Sequence, residues 1–311
     1  MDLKLNFKQI FPEGGPARYN VAAWQKADKD HVVLVGREVQ EPGANETPDI
    51  GKLVLFEIDK QNRIIHERIL WESLNHSFFL EDPRALVHSD GSITIALAMV
   101  LKTRDGYSSF PAVVKIDSVS TWSGELPPIS LIHAYGSGKN LTPIKQNKFL
   151  FRPESEDYHH KLLFFDLSNV DPESTYDIEF PTNLDWALWR IGTTMPPLWF
   201  GGNSALLIIH GITIKEGEYI YSIGRAKLHR KEGHFVVDVH PEPIITPDTF
   251  VKEGRPLEEE LHPGLRRVVY ACGGVIKRNE PESLYLYVNV GDRNTYEVKV
   301  AVEDLKEGLF D

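Results

Sequence analysis

Short runs of β-branched and aromatic residues, broken every few positions by Gly, Pro, Asn or Asp, dominate the chain. In the first third they fall at 31–36, 52–58, 63–70, 92–101 and 112–116. Later runs occupy 148–151, 161–165, 205–210, 219–223, 267–271, 284–290 and 296–302. No long helical period interrupts them, so the pattern predicts an all-β protein. Candidates for innermost strands, near Val21, Arg84, Asn140, Pro196 and Arg266, recur every fifty to seventy residues, roughly the length of a four-stranded blade. The layout predicts a five-bladed β-propeller, with residues 1–311 as one domain and an axial funnel for the site. The repetition is one of layout, without a WD-type motif; a pair of β-sandwiches is the competing arrangement. The stretch 246–263, rich in Pro and Glu, reads as a solvated linker or a lid.

Composition narrows the classes. Hydrophobic residues at 41% and charged residues at 25% are ordinary globular usage. A formal charge of -11 disfavours nucleic acid or an anionic membrane as partner. No apolar span reaches transmembrane length and no signal-like leader is evident, so a cytoplasmic location is the default expectation. Cys272 is the only cysteine, which excludes an internal disulfide and a cysteine-built zinc site. No metal or cofactor motif appears, and a homo-oligomer stays open.

Candidate chemistry concentrates in a few polar interruptions. Glu81-Asp82-Pro83-Arg84 sets two carboxylates and a guanidinium on an apolar approach, so it is either a solvated turn or the wall of a polar cavity. Further polar residues fall where a propeller chain nears its axis: Arg37, Lys139, Asn140, Arg152, Asp185, His210 and Asp292. Glycosidic cleavage needs a carboxylic acid for the leaving oxygen, and either a base for water or an anion from solution. Lys139 and Arg152 suit a phosphate, while Trp186, Trp189 or Trp199 suit a sugar face; equally, each tryptophan suits plain packing. His210 reads as well as a core histidine, His159-His160 as an exposed pair, and Glu154, Glu156 and Asp157 as a solvated loop.

In their order, these pieces resemble glycoside hydrolase family 130, the mannoside phosphorylases and β-mannosidases. The matching segments are 80–84, 138–140, 151–153, 189–192 with 195–197, 209–211, 221–226, 267–274 and 286–292. The resemblance implies a five-bladed propeller that acts on a β-mannoside or oligosaccharide with inversion. It implies Asp82 as the catalytic acid, passing its proton through a sugar hydroxyl in the phosphorylases, with Glu81 and Arg84 shaping the subsite. It also implies phosphate contacts from Lys139 and Arg152, less directly from Arg37, and sugar contacts from His210 and Asp292. Inorganic phosphate would then be the co-substrate, and no other cofactor is implied. Three departures mark a divergent branch: Asn140 where Asp is common, Val290-Gly291 before Asp292, and Thr193-Thr194-Met195 in place of a glycine-rich stretch.

Three rivals stay open beside the phosphorylase. An inverting hydrolase needs a second carboxyl about 6.5–9.5 Å from the first, for which Glu154, Glu156 or Asp157 are candidates. A furanoside-acting propeller needs three axial acids, which Asp82, Asp185 and Asp292 could supply. A non-catalytic carbohydrate-binding propeller needs only the pocket.

Overall fold

The computed structural model describes residues 3–26, 29–43, 47–72, 78–104, 106–117, 125–169, 174–252, 257, 261, 262, 265 and 267–310. Its strands form five antiparallel sheets. The first strand, β1 (Asn6–Gln9), leaves its sequence neighbours and pairs with the last, as described below. The first blade holds β2 (Ala17–Gln25), β3 (Val32–Glu41), β4 (Ile50–Ile58) and β5 (Ile64–Glu72). The second holds β6 (Phe78–Val87), β7 (Ile93–Thr103), β8 (Gly106–Ile116) and β9 (Ser130–Leu131). The third holds β10 (Gly138–Lys145), β11 (Lys148–Pro153), β12 (Lys161–Asp166) and β13 (Tyr176–Glu179). The fourth runs β14 (Arg190–Thr193), β16 (Ser204–Lys215), β17 (Glu218–Lys231) and β18 (His234–Val239), with β15 (Leu198–Trp199) also on β16. The fifth is β19 (Val269–Ile276), β20 (Ser283–Val290) and β21 (Asn294–Ala301), and β1 completes it as the outermost strand. The chain's start therefore closes its own ring.

The core lies between blades, which explains why several strands read as unbroken apolar runs. Along β16, Ala205, Leu207 and Ile209 pack with third-blade residues such as Leu150 and Leu162. The alternating Leu206 and Ile208 pack with Val269 and Leu286 of the fifth. Both faces of the strand are buried, so the alternation of a half-solvated strand disappears. The other junctions repeat this: first with second blade through Trp24 and Ile95, second with third through Val113 and Phe149, fifth with first through Tyr287 and Leu34. A ring of blades sharing cores places the inner strands β2, β6, β10, β14 and β19 round one axis.

The structure sharpens two expected positions and corrects one expectation. The fourth inner strand is Arg190–Thr193, ahead of Pro196, because Pro196-Pro197 lack the N–H donors that an inner strand gives its neighbour. Arg266 lies outside the described residues, and its strand begins at Val269. The stretch 246–263 is no solvated linker in its described part. It forms α1 (Pro247–Lys252), whose Phe250 is fully buried with its ring 4.7 Å from Phe7 and 5.4 Å from Tyr296. The remaining helix, α2 (Val302–Lys306), is also short, and no described helix is long and apolar enough to cross a membrane.

Candidate active site

A bulge recurs at one place in three consecutive inner strands. The register slips between Tyr19 and Ala22 on β2, between Glu81 and Arg84 on β6, and between Lys139 and Thr142 on β10. The second residue of each tetrapeptide has a positive φ: 51° at Asn20, 50° at Asp82 and 62° at Asn140. Asn and Asp tolerate that left-handed conformation better than other non-glycine residues, and a bulge re-aims a side chain toward the axis. The sequence thus carries a weak repeat, an Asx residue after Tyr, Glu or Lys, spaced 62 and then 58 residues apart. Sequence reading missed it because only the Asx type and its backbone state recur.

These bulges line a funnel whose empty space, open mouth included, is about 580 Å³. Its wall takes in Arg37, Glu81, Asp82, Lys139, Arg152, His210 and Asp292, which the sequence singled out. It also takes in Asn20, Tyr221 and Tyr270, which it did not. Asp82 is buried and its Oδ1 accepts a 2.6 Å hydrogen bond from Asn20 Nδ2. Two cations clamp Glu81: Arg37 donates to its Oε1 at 3.0 Å and Lys139 to its Oε2 at 3.1 Å. Burial pushes the Glu81 carboxyl up, but the Arg37 and Lys139 charges outweigh it and hold it at about 2. Arg37 also donates to Asp49 Oδ2 at 3.0 Å, and Asp49 in turn takes the Tyr19 hydroxyl at 2.6 Å and pairs with His262 at 2.8 Å. Arg37 therefore divides its guanidinium between two carboxylates while standing on the funnel wall.

Arg152 is different. It stands opposite Lys139 in the β10–β11 register, and among the described residues it has no ion-pair partner. Its Nη1 is buried with no hydrogen-bond acceptor among the described residues. Burial, reinforced by Arg190, pushes its guanidinium down to about 10, so at neutral pH it stays a cation in want of an anion. His210, 1% exposed, is pushed well below the ordinary imidazole value by burial and then by Arg152 and Arg84, and is neutral at pH 7. Asp292 shares the left-handed geometry, with φ 51°, and its Oδ1 accepts from Asn289 Nδ2 at 3.0 Å.

Burial raises the Asp292 carboxyl to about 6, with Asp82 and Asp49 adding to the rise and Arg37 opposing it. A carboxyl whose folded value lies above its unfolded value, ordinarily near 3.8, opposes folding once it ionises. The penalty is absent below the unfolded value, grows as pH rises, and is complete above about 6. Asp292→Asn should therefore melt at a higher temperature than the parent at pH 8, and the gap should close below pH 4. Melting curves at the two pH values check it; an equal gap at both would assign the effect to something other than this charge.

Other expected site residues fall elsewhere. Arg84, 1% exposed, lies beneath the funnel rather than on its wall. It donates to Asp82 O at 2.9 Å, Asn140 Oδ1 at 2.9 Å, Thr193 O at 3.3 Å and the Tyr270 hydroxyl. Asp185 is exposed and does not line the funnel, because it sits in the turn that drives its neighbour Trp186 inward. Trp186 is no sugar platform: it fills the space over Gly211 and Gly224, and its Nε1 donates to Pro241 O at 2.9 Å. Trp199 likewise packs, under Lys145, and donates to Ile144 O at 3.1 Å. Trp189 meets the rings of His159 and Tyr219, at 5.6 and 5.1 Å, with Arg190 above it. His160 donates to Leu188 O, and no described group of His, Cys, Asp or Glu is arranged to hold a metal. Glu154, Glu156 and Asp157 are exposed and outside the funnel wall, which removes them as a base facing Asp82.

No protein-family profile and no curated protein matches the sequence. Solved structures do. A β-1,2-mannobiose phosphorylase from Listeria innocua, in complex with β-1,2-mannobiose, superposes over 97% of this chain and 93% of its own with a TM-score of 0.68. The chain shares that propeller's fold. At 15% identity the likeness reaches no further than architecture. A putative glycoside hydrolase from Parabacteroides distasonis, also 15% identical, covers 93% of this chain and 88% of its own with a TM-score of 0.64. A GH43_1 enzyme from Xanthomonas citri, 9% identical, covers 94% and 89% with a TM-score of 0.53. Family 130 resemblance and propeller fold thus agree, one from ordered motifs and the other from backbone.

Proposed function

We propose that the protein is an inverting β-mannoside-acting enzyme, a phosphorylase that cleaves a β-mannosyl linkage with inorganic phosphate. The observation that carries the reading is Arg152: an unpaired guanidinium on the wall of a sugar-sized funnel that also holds Asp82. A phosphate oxygen attacks the anomeric carbon from the face opposite the leaving oxygen. The glycosidic C–O bond breaks, and the proton from Asp82 goes to the leaving oxygen. The products are α-mannose 1-phosphate and the freed sugar. Arg152 and Lys139 hold the phosphate, Glu81 keeps Lys139 extended along the wall, and His210, Tyr221 and Asp292 face the sugar or the anion. The motif order resembling family 130 and the fold shared with a mannobiose phosphorylase support the assignment.

A hydrolase is the second reading, and Asp292 favours it, being a funnel carboxyl pushed toward neutral pH and able to take a proton from water. Phosphate dependence separates the two. With α-mannose 1-phosphate and a panel of acceptor sugars, the protein should release phosphate, and Arg152→Met should raise KM for the phosphorylated donor about 10- to 100-fold, the worth of one charge-assisted contact. Mannoside cleavage that proceeds at full rate in phosphate-free buffer would make the protein a hydrolase.

A further inference from the structure

Four side chains from four blades meet at the funnel, Asn140, His210 and Tyr270 on its wall and Arg84 behind them. Arg84 on β6 donates to Asn140 Oδ1 at 2.9 Å, and Tyr270 on β19 donates to the same oxygen at 2.9 Å. Arg84 also donates to the Tyr270 hydroxyl, which leaves that hydroxyl's proton for Asn140. Two donors on one oxygen fix which end of the amide is which. The other end, Nδ2, carries only protons to give, and it faces His210 Nε2 on β16 at 3.4 Å. An amide N–H directed at an imidazole nitrogen requires a lone pair there. The proton of a neutral ring must then sit on Nδ1, which is buried and has no partner among the described residues.

We propose that Asn140, its amide oriented by Arg84 with Tyr270 in support, is a positioning residue that holds His210 as its neutral Nδ1–H tautomer, leaving that N–H for an oxygen of the bound ligand. The ring cannot swing away from them. Gly192 on β14 pairs with His210, and a Cβ there would lie 2.5 Å from the ring's Cε1 and 2.6 Å from Asn140 Nδ2. On the other side the Tyr270 ring meets it edge-on at 4.7 Å. The charged groups acting on it are Arg152 on β11, Arg84 on β6 and Arg190 on β14, all cations that oppose a second proton; the Thr193 backbone carbonyl pulls the other way, and burial with the arginines outweighs it. Tyr221 on β17, stacked at 6.3 Å, is kept protonated by burial. The result is a hydrogen-bond donor without a charge beside an arginine that already supplies one. A charged imidazolium in that place would repel Arg152, and an Nε2–H tautomer would collide with the Asn140 amide.

The tautomer is read on the unliganded protein, so the test is independent of whether the enzyme uses phosphate or water. Long-range nitrogen-15 correlation spectra assign protonation at each imidazole nitrogen, and His210→Gln identifies the His210 signals among those of 12 histidines. The expected spectrum shows Nδ1 protonated and Nε2 bare. In Asn140→Asp the substituted carboxylate can only accept, so the proton should move to Nε2 and affinity for α-mannose 1-phosphate should fall about tenfold, one hydrogen bond's worth. In Tyr270→Phe, where Arg84 alone still marks the Asn140 oxygen, the tautomer should stay as in the parent. Protonation of Nε2 in the parent would overturn the proposal, even if neither variant folds. An unmoved proton in Asn140→Asp would overturn it as well.

Discussion

Asp82→Asn should lower turnover of a mannoside plus phosphate by two to four orders of magnitude, while sugar affinity measured by calorimetry stays within about threefold. The asymmetry follows from the contacts. Asn20 donates to Asp82 Oδ1, and an amide oxygen in the same place accepts that bond, so the bulge and the wall keep their shape. What disappears is the transferable proton. Asn20 Oδ1 has no partner in the described chain, so the pair is already arranged to meet a ligand rather than to saturate itself. Turnover within tenfold of the parent would remove Asp82 as the acid and move attention to Asp292. Loss of sugar binding together with turnover would mean that the carboxylate positions the sugar.

Arg84→Met is the change expected to damage the fold most. The guanidinium ties the Asp82 carbonyl of β6 to Asn140 of β10, the Thr193 carbonyl of β14 and Tyr270 of β19, all out of water. Methionine fills the space and relieves the desolvation of a buried cation, which by itself would stabilise. Against that, two buried carbonyls lose a donor, each at about 1–3 kcal/mol. They belong to different blades and cannot pair with one another, whereas Asn140 and Tyr270 can still bond together. The balance is a loss of about 2–4 kcal/mol, which for a chain of 311 residues lowers Tm by roughly 3–6 °C. Thermal denaturation of parent and variant decides the matter. An unchanged Tm would show that desolvation of the guanidinium cancels its bonds, and Arg84 would then matter for the site alone.

Much of this was legible in the chain itself. The apolar runs at 52–58, 92–101, 205–210 and 284–290 became β4, β7, β16 and β20, because strands buried on both faces need apolar side chains at every position. Local composition suffices for that. Strands whose inner ends are polar, such as β6 and β10, were visible only as interruptions. The charges of Glu81, Asp82, Lys139 and Arg152 all line the funnel, the first three from inner strands and Arg152 from β11 beside β10, where an apolar approach gives them little other company.

Which of those charges is free was decided by the tertiary structure alone. Arg37, Lys139 and Arg152 are equivalent cations as sequence, yet Glu81 and Asp49, brought from separate strands and loops, form ion pairs with the first two, while Arg152 has none among the described residues. Asp185 and Trp186 were drawn toward the site by residue type and excluded from it by a turn. Asn20 entered it though nothing in its neighbourhood sets it apart, and Tyr221 and Tyr270 entered it from segments that carried the resemblance without being singled out as site residues. Residue type and apolar spacing are local, and they determine strands, blades and the supply of polar groups near the axis. Charge pairing and amide orientation depend on partners 12 to 186 residues away, so only the closed ring of blades settles them.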